Sequence, residues 1–219
     1  MKQDEKCGAE PPSRADLRRR KLIETARKLF VENGFHATGI AQIARESGIA
    51  VGQIYRDFSS KEEIVAALVE EDCRHFMAAE ALDAAIRDGD RERVFAWLHH
   101  FVEPDDDPSG GRLFAEIVAE SSRNERVAAI FASIHDRLRA NLLVALTLLA
   151  PGEARAERRA VVADGIMTVS LGMLHHQLMR PDMDLAPLVL ALRNIIDEQI
   201  AALNAAGDPA AIVPGDRIG

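Results

Sequence analysis

Residues 38–61 read TGIAQIARESGIAVGQIYRDFSSK, and this stretch decides the fold of the N-terminal part of the chain. Ile40 and Ile43 recur at helical spacing and predict a short helix with one apolar face. Gly48 follows at the point where the chain needs a left-handed residue to stop and turn. A second short helix is predicted to carry Ile54 and Phe58 inward at a spacing of four, with Val51, Gln53, Tyr55 and Arg56 pointing elsewhere. Two short helices joined in this way predict a helix-turn-helix, whose second helix enters the major groove of DNA.

The composition fits a folded, helical protein. The chain has 219 residues, of which 47% are apolar, enough for one or two domains with a sizeable core. Abundant Ala, Leu, Glu and Arg favour helix, and no strand-like alternation occurs, so we expect an all-α protein. No apolar run reaches the roughly 20 residues that cross a bilayer, and the N-terminus lacks the apolar segment of a signal peptide. We therefore expect a cytoplasmic protein with no membrane partner, and no disulfide between Cys7 and Cys73.

The net charge of −8 is unevenly distributed along the chain. Residues 1–61 contain 12 Lys and Arg against 8 Asp and Glu, and the remaining residues contain 15 against 27. Phosphate attraction is local, because salt screens it beyond about 8–10 Å. The basic part is thus suited to DNA, and the acidic part to another task. The basic cluster within residues 14–21 is either a solvated helix end or a contact to phosphates or the minor groove.

The domain organisation follows from these shifts. We expect a disordered tail at 1–13, a helix-turn-helix domain at 14–61, a helical domain at 62–206 and a second tail at 207–219. The first helix is predicted to end at Asn33 and Gly34, with Phe35 folded back on it. A serine at 59 or 60 is predicted to cap the next long helix. Prolines and glycines predict a loop over 104–111.

The run FHATGIAQIARESGIAVGQIYRDFSSKE at 35–62 resembles the N-terminal domain of the TetR-type transcriptional regulators. Its glycines, aromatic residues and closing Ser-Lys-Glu fall in order without gaps, and the resemblance covers roughly residues 14–70. It implies about nine helices, with an N-terminal three-helix helix-turn-helix domain and a C-terminal helical domain for ligand binding and dimerisation. It also implies a homodimer that binds palindromic operator DNA, usually as a repressor that a small apolar or amphipathic ligand releases.

The same resemblance implies the DNA-binding residues. Tyr55 and Lys61 match positions that hold operator phosphates, and Thr38 matches a helix start near the DNA backbone. By its chemistry Gln53 can read adenine, and Arg56 can reach guanine or a phosphate. The predicted DNA-binding set is Thr38, Val51, Gly52, Gln53, Tyr55, Arg56 and Lys61.

Two residues depart from the usual pattern of that family. Ala50 stands where a serine usually caps the recognition helix, which removes a cap worth typically about 1 kcal/mol. Asp57 stands where a neutral residue or histidine is usual, and DNA repels an acid there. That repulsion is avoided only if Asp57 pairs with Arg56 or Lys61 or caps the next turn.

The C-terminal helices carry the predicted ligand and dimer sites. Aromatic residues, methionine and a few polar side chains shape adaptable apolar cavities, although core packing is an equal reading for each such residue. The candidate ligand residues are Trp97, Phe101, Phe114, Ile117, Phe131, His135, Met167 and Leu171. The last two helices offer apolar area for a four-helix dimer interface, with some of it needed for the core. The candidate interface residues are Leu171, Leu174, Leu178, Leu188, Leu192, Ile195 and Ile196.

Other function classes find less support in the sequence. The pairs His99–His100 and His175–His176 suggest a metal, but adjacent helical residues point about 100° apart and no cysteine joins them, so we expect no metal and no cofactor. No phosphate-binding loop, nucleophile elbow or HExxH motif occurs, so we expect no enzyme. A ligand-released repressor of an efflux operon is the leading hypothesis. The alternative is a DNA-bound structural or division-coordinating protein with a protein partner instead of a ligand.

Overall fold

A computed structural model describes residues 13–104 and 108–205, so the predicted tails (apart from Ser13) and residues 105–107 of the predicted loop lie outside it. Within these ranges the chain forms ten α-helices, a 3-10 turn at Glu153–Arg155 and no strand, which confirms the all-α class. Only Ala78, in a left-handed conformation, separates the fourth and fifth helices, and counting them as one bent helix gives nine. The helices are α1 (Arg14–Ala37), α2 (Ile40–Ser47), α3 (Val51–Asp57), α4 (Lys61–Met77), α5 (Ala79–Asp88), α6 (Arg91–His100), α7 (Pro108–Ser121), α8 (Glu125–Leu149), α9 (Ala156–Met179) and α10 (Ala186–Ala205).

The chain folds into two compact units. Among the described residues, the first comprises 13–70 and 113–128, and the second comprises 71–104, 108–112 and 129–205. The first unit therefore includes a segment from the middle of the chain as well as the predicted helix-turn-helix. Helix α4 begins in the first unit and ends in the second. The domain boundary at residue 61 stays a prediction.

The core of the first unit is built on the apolar stripe of α1. This stripe is buried as the helical spacing predicts, at Leu22, Ile23, Ala26, Leu29 and Phe30. The backbone leaves helical geometry at Gly34, whose φ of +79° favours glycine, although helix resumes as far as Ala37. Phe35 then returns to the core, and its ring centroid lies 5.6 Å from that of Phe30, so the predicted fold-back is confirmed.

Three carboxylates hold residues 113–128 within the first unit. Glu116 accepts a hydrogen bond from the backbone amide of Phe35 (3.4 Å), and a buried oxygen of Glu120 lies 2.7 Å from Nε2 of His36. Asn124 donates to Glu62 at the start of α4 (3.3 Å). These contacts join residues far apart in sequence.

The second unit has its own core, centred on α6 and α8. Leu98, Leu142 and Leu146 are fully buried there, and partly buried residues of α9 and α10 pack around them. Helix α7 begins at Pro108, so residues 108–111 of the predicted loop are helical; proline suits the first turn because its missing N–H has no partner there. A Cβ at Gly111 would lie 2.7 Å from the Leu174 side chain, which explains a glycine at that position.

The C-terminus of α8 is capped by long polar side chains from other elements. Arg91 donates to the carbonyl oxygens of Leu148 and Leu149 (3.2 and 2.9 Å), and Arg159 donates to that of Ala150 (2.9 Å). Arg159 is only 6% exposed. Cations at a helix C-terminus satisfy carbonyls that have no partner within the helix. None of the helices in the described ranges combines the length and apolar composition that a membrane span requires.

Candidate DNA-binding site

Helices α2 and α3 form the predicted helix-turn-helix. Gly48 has a φ of +68° and joins them in the left-handed conformation that the sequence requires. Ile43 and Ile54 are fully buried between the helices, and Phe58, just after α3, is 2% exposed. Ser47, which the sequence did not single out, is buried and its hydroxyl accepts from the amide of Ile49 (3.3 Å). These buried groups fix α3 against the first unit from one side.

The opposite side of α3 is open to solvent, and we call its five predicted residues the recognition face. Tyr55 is 53% exposed and Val51 is 40% exposed. A Cβ built at Gly52 would meet nothing within 4 Å, so the backbone there can approach a ligand closely. The recognition face consists of Val51, Gly52, Gln53, Tyr55 and Arg56, all exposed. The structure brings these residues together, and their contact with DNA stays a prediction.

Thr38, which is predicted to lie near the DNA backbone, has its side chain engaged within the protein. Its side chain is fully buried, and its hydroxyl donates to the carbonyl oxygens of Gly34 (2.9 Å) and Leu29 (3.1 Å). The hydroxyl therefore ties the kinked end of α1 together and is not free for a phosphate. Any DNA contact at this position has to come from the main chain.

Lys61 is also engaged inside the first unit. Its Nζ donates to the carbonyl oxygens of Phe35 (2.7 Å) and Thr38 (3.1 Å) and lies 3.9 Å from the centroid of the Phe35 ring. Burial lowers the pKa of Lys61, while the nearby Glu62 and Glu120 act in the opposite direction. Two of the three ammonium hydrogens thus hold α4 against the end of α1. Only the third remains for the predicted phosphate contact.

Asp57 pairs with α1, not with Arg56 or Lys61 as the sequence suggested. Arg18 donates to both carboxylate oxygens of Asp57, at 2.6 and 2.7 Å. This bidentate bond lowers the pKa of Asp57 and raises that of Arg18. Arg19 donates to the backbone carbonyl of Asp57 (3.1 Å), and its guanidinium carbon lies 4.2 Å from the centroid of the Phe58 ring. The acid at the end of the recognition helix is therefore neutralised within the protein.

The start of α1 adds positive charge on the same unit. Arg14, Arg20 and Lys21 are exposed. Ser13 caps the helix, and Asp16 completes the capping box; the hydrogen bonds from Ser13 lower the pKa of Asp16. Helix N-termini and basic side chains both attract phosphate. The exposure of these three basic side chains agrees with the reading of this cluster as a phosphate or minor-groove contact.

Comparison with known proteins places this geometry in a family. The family description "Bacterial regulatory proteins, tetR family" matches residues 22–68, and "BetI-type transcriptional repressor, C-terminal" matches residues 90–201, more than half of the chain. The protein belongs to the TetR family. The family resemblance of the sequence is confirmed, and with it a DNA-binding transcriptional regulator. TetR-family proteins and the relatives matched are transcription regulators, not enzymes.

Relatives along the whole chain agree with this assignment. The protein is 27% identical over 200 residues to the HTH-type transcriptional regulator BetI of Agrobacterium fabrum, a match covering 89% of this chain and 91% of BetI. It is 30% identical over 167 residues to BetI of Rhizobium meliloti, covering 74% and 79% of the two chains. Salmonella enterica GusR has the same fold, with a TM-score of 0.65, 21% identity, and coverage of 86% of this chain and 98% of GusR. A transcriptional regulator from Pseudomonas aeruginosa PAO1 gives a TM-score of 0.70 at 19% identity, covering 88% and 93%.

The predicted ligand residues of this TetR-family regulator are divided between the two units. Trp97, Phe101 and Met167 lie in the core of the second unit, where the two aromatic rings are 4.9 Å apart. The indole N–H of Trp97 already donates to the carbonyl of Met77 (2.5 Å), so it is not a free polar group. The other candidates in this unit are less buried: Phe131 is half-buried, and His135 and Leu171 are exposed. Phe114 and Ile117 belong to the first unit.

Two open pockets lie elsewhere in the second unit. One, of about 270 Å³, is formed by α9 and α10 and is lined by Glu157, Arg158, Val161, Val162, Gln199 and Leu203. The other, of about 490 Å³, lies on α5 and is lined by Glu80, Asp83, Ile86 and Arg87. None of the predicted ligand residues lines either pocket. The ligand site of this TetR-family protein stays a prediction.

The predicted dimer residues fall into two groups. Ile196 is 5% exposed and lies in the core of its own chain, so little of it remains for a second chain to cover. Leu188 and Leu192 pack partly against the same core, and Leu174 and Leu178 lie beside Gly111. By contrast, Leu171 and Ile195 are 50% and 49% exposed. The sequence missed four apolar residues of this region that are at least as exposed as most interface candidates: Val161, Met179, Met183 and Leu190.

Both histidines of the His99–His100 pair lie beside carboxylates. Nε2 of His99 lies 2.7 Å from Asp197, and Nδ1 of His100 lies 3.4 Å from Glu103. Within residues 13–104 and 108–205, no three side chains of His, Cys, Asp or Glu come together in a way that could hold a metal ion.

Proposed function

We propose that this protein is a homodimeric repressor that binds palindromic operator DNA and leaves it when a small apolar or amphipathic ligand binds. The recognition face carries the DNA part of the proposal, because it presents five neighbouring exposed residues on a helix anchored by Ile54 and Phe58. Exposed basic residues at the start of α1 supply phosphate attraction on the same unit. A short helix with a polar, exposed face and buried anchors suits the major groove.

Three residues of the recognition face have distinct roles in this proposal. Gln53 reads an adenine through its amide, and Arg56 contacts a guanine or a phosphate. Tyr55 donates its hydroxyl to a phosphate. Gln53→Ala should reduce the preference for one base at one operator position by about 1–3 kcal/mol. Tyr55→Phe should weaken binding to operator and unrelated DNA alike. Fluorescence anisotropy with single-base operator variants measures both. An unaltered base preference in Gln53→Ala would remove the direct-readout role.

The dimer part of the proposal rests on α9 and α10. These helices pack against each other and leave apolar side chains exposed, among them Val161, Leu190 and Ile195. Gly165 and Gly172 lie seven residues apart on α9, and a Cβ at either would meet nothing within 4 Å. A second copy of this surface could therefore approach closely, and a two-fold interface would bring four helices together. Two recognition helices would then meet major grooves about 34–36 Å apart.

Charge placed on this surface tests the dimer. Ile195→Asp combined with Leu190→Asp should convert the dimer to a monomer in sedimentation experiments and weaken operator binding, because both charges would be buried unpaired. Val144→Asp on α8 is the matched control, since Val144 is similarly exposed at 51% and belongs to none of the predicted interface. A dimer that survives both changes on α10, or one that Val144→Asp disrupts, would place the interface elsewhere.

The ligand part of the proposal rests on the helical second unit and on other proteins of this fold. Three solved structures with the same fold are complexes: a transcriptional regulator from Saccharomonospora viridis with choline, FadR from Bacillus subtilis with stearoyl-CoA, and SmeT with triclosan. Triclosan is largely apolar, stearoyl-CoA is amphipathic, and choline is a small organic cation whose charged nitrogen carries three methyl groups. We propose a ligand of this broad class for the second unit, and an operon that exports such a ligand as the first candidate for the regulon.

Titration of the operator complex tests this part. A ligand can shift the equilibrium away from the DNA complex only by the difference between its affinities for the DNA-free and the DNA-bound states of the protein. We expect at least one of choline, a long-chain acyl-CoA and triclosan to raise the melting temperature of the free protein and to release a labelled operator fragment. A compound that raises the melting temperature but leaves the complex intact would argue against ligand release. If none of the three did either, the proposed ligand class would lose its support.

A further inference from the structure

Helix α3 has little intrinsic stability of its own. It has seven residues and no side-chain cap at its first end, where Ala50 stands. Isolated helices shorter than about 12–15 residues are marginal in water. The position of the recognition face must therefore come from contacts with the rest of the first unit. Ile54 and Phe58 supply an apolar anchor on the inner side.

The second anchor is at the C-terminal end of α3, and we call it the arginine clamp: Arg18, Arg19, Asp57 and Phe58. The Arg18 guanidinium binds the Asp57 carboxylate with two hydrogen bonds of 2.6 and 2.7 Å. Arg19 donates to the Asp57 carbonyl, which has no partner further along the helix, and covers the Phe58 ring. A planar fork on a carboxylate fixes distance and direction together, which a single point charge does not.

We propose that Asp57 is a positioning residue for operator recognition, which acts through Arg18 to hold the recognition face in a fixed relation to the basic start of α1. The inference rests on the proposed DNA-binding role of that face. In this arrangement Arg18 is occupied by the protein, and Arg14, Arg20 and Lys21 remain exposed for phosphate. The arginine clamp thereby sets the angle at which Gln53 and Arg56 contact the bases, while the exposed basic residues of α1 contact the DNA phosphates.

Simple electrostatics makes the opposite prediction for the same residue. If Asp57 were only an acid near DNA, its removal would increase affinity for every DNA sequence, since it would remove a repulsive charge and release Arg18 for phosphate. If Asp57 positions α3, its removal lowers the preference for operator over unrelated DNA, whatever happens to overall affinity. The ratio of the two affinities therefore separates the explanations.

Arg18→Lys is the most direct variant, because it keeps the charge and loses the bidentate fork. We expect a roughly tenfold lower ratio of operator to non-operator affinity, the size of effect that the loss of about one charge-assisted hydrogen bond produces, with an unchanged salt dependence. Asp57→Asn should lower the ratio similarly while non-operator affinity stays equal or rises. Arg20→Gln is the matched control on α1: it should weaken both DNAs together and leave the ratio within about twofold.

A double-mutant cycle completes the test. The cycle consists of Arg18→Gln, Asp57→Asn and the double variant that carries both changes. The loss of operator preference in the double variant should be no larger than in Arg18→Gln or Asp57→Asn alone, because both changes remove the same contact. Ratios that stay within about twofold of the original in Arg18→Lys and Asp57→Asn, or losses that multiply in the double variant, would overturn the positioning role. If the unaltered protein itself shows no operator preference, the result contradicts the proposed DNA-binding function and is thereby distinguished from a failure of the positioning role alone. Circular dichroism of each variant verifies the helical fold before the binding assay.

Discussion

Replacing Lys61 with methionine separates a structural role for this lysine from a contact with operator phosphate. The ammonium group makes two hydrogen bonds to carbonyl oxygens, at 2.7 and 3.1 Å, and lies over the Phe35 ring. Hydrogen bonds to a charged group contribute roughly 1.5–3 kcal/mol each in favourable cases. Lys61 is only half-buried, which discounts that figure through solvent screening. Methionine keeps the apolar stem, so we expect a net loss of about 2 kcal/mol in the free energy of unfolding.

Thermal and urea unfolding followed by far-UV circular dichroism measure this loss. For a protein of this length it corresponds to a decrease of about 4–8 °C in melting temperature. Lys28→Met on α1 is the control, because Lys28 is 74% exposed and makes only a 3.9 Å ion pair with Glu32. That pair should contribute under about 0.5 kcal/mol. If Lys61→Met were as stable as Lys28→Met and yet lost operator affinity, the phosphate role predicted from the sequence would be right and the structural role wrong.

Three further predictions concern the first unit. Ala50→Ser should stabilise the protein by about 1 kcal/mol in thermal unfolding by capping α3, and Ala50→Gly should gain less; equal stability of both would show that the cap does not form. Thr38→Val should cost about 1–3 kcal/mol in urea unfolding, because the Leu29 and Gly34 carbonyls lose the hydroxyl hydrogen that they share. Thr38→Ser keeps the hydroxyl and loses only a methyl group, so a larger loss in Thr38→Ser than in Thr38→Val would contradict this assignment. Arg18 lowers the pKa of Asp57, so the stability from their ion pair is present above the unfolded pKa near 3.9 and is lost as pH falls through the lower folded pKa. Melting temperatures measured from pH 7 to pH 2.5 should therefore fall more steeply in the unaltered protein than in Asp57→Asn. Parallel curves for the two proteins would refute this contribution of the pair.

The helix-turn-helix was predictable because its rules are local. Gly48 at a helix end predicts a left-handed turn, and Ile43 and Ile54 at the right spacing predict buried contacts between two helices. The missing cap at Ala50 also followed from residue type alone. These features depend on neighbours within one or two turns, so the sequence contains all the necessary information. The family resemblance followed from the same stretch, and the all-α class from the composition and the lack of strand-like alternation along the chain.

The pairings that hold the site were not predictable in this way. Arg18 and Asp57 are 39 residues apart, and nothing in their local sequence selects Arg18 over Arg56 as the partner. The available signal was an unusual acid next to a recognition helix together with a cluster of arginines elsewhere in the same domain. Residues 113–128 belong to the first unit through Glu116 and Glu120, and only tertiary structure shows this. Lys61 and Thr38 were assigned to DNA from the family pattern, and their side chains are occupied within the protein.

Core and interface residues on amphipathic helices were the hardest to separate. Ile196 and Ile195 are adjacent and equally apolar, yet the first is buried in its own chain and the second is half exposed. Helical periodicity gives the apolar side of a helix but does not say which neighbouring surface covers it. The same limit applies to Trp97 and Phe101, whose rings pack on each other in the core of the second unit.

We propose that this TetR-family protein recognises a palindromic operator through the exposed side of α3. A nuclease-protection footprint of the purified protein on the DNA upstream of its own gene tests it most directly. We expect protection of an inverted repeat whose half-sites lie about one helical turn or a multiple of it apart, and loss of the protection as salt is raised. Gln53→Ala should shift the preferred sequence within each half-site. The absence of any protected inverted repeat at low salt would contradict recognition of a palindromic operator by this protein.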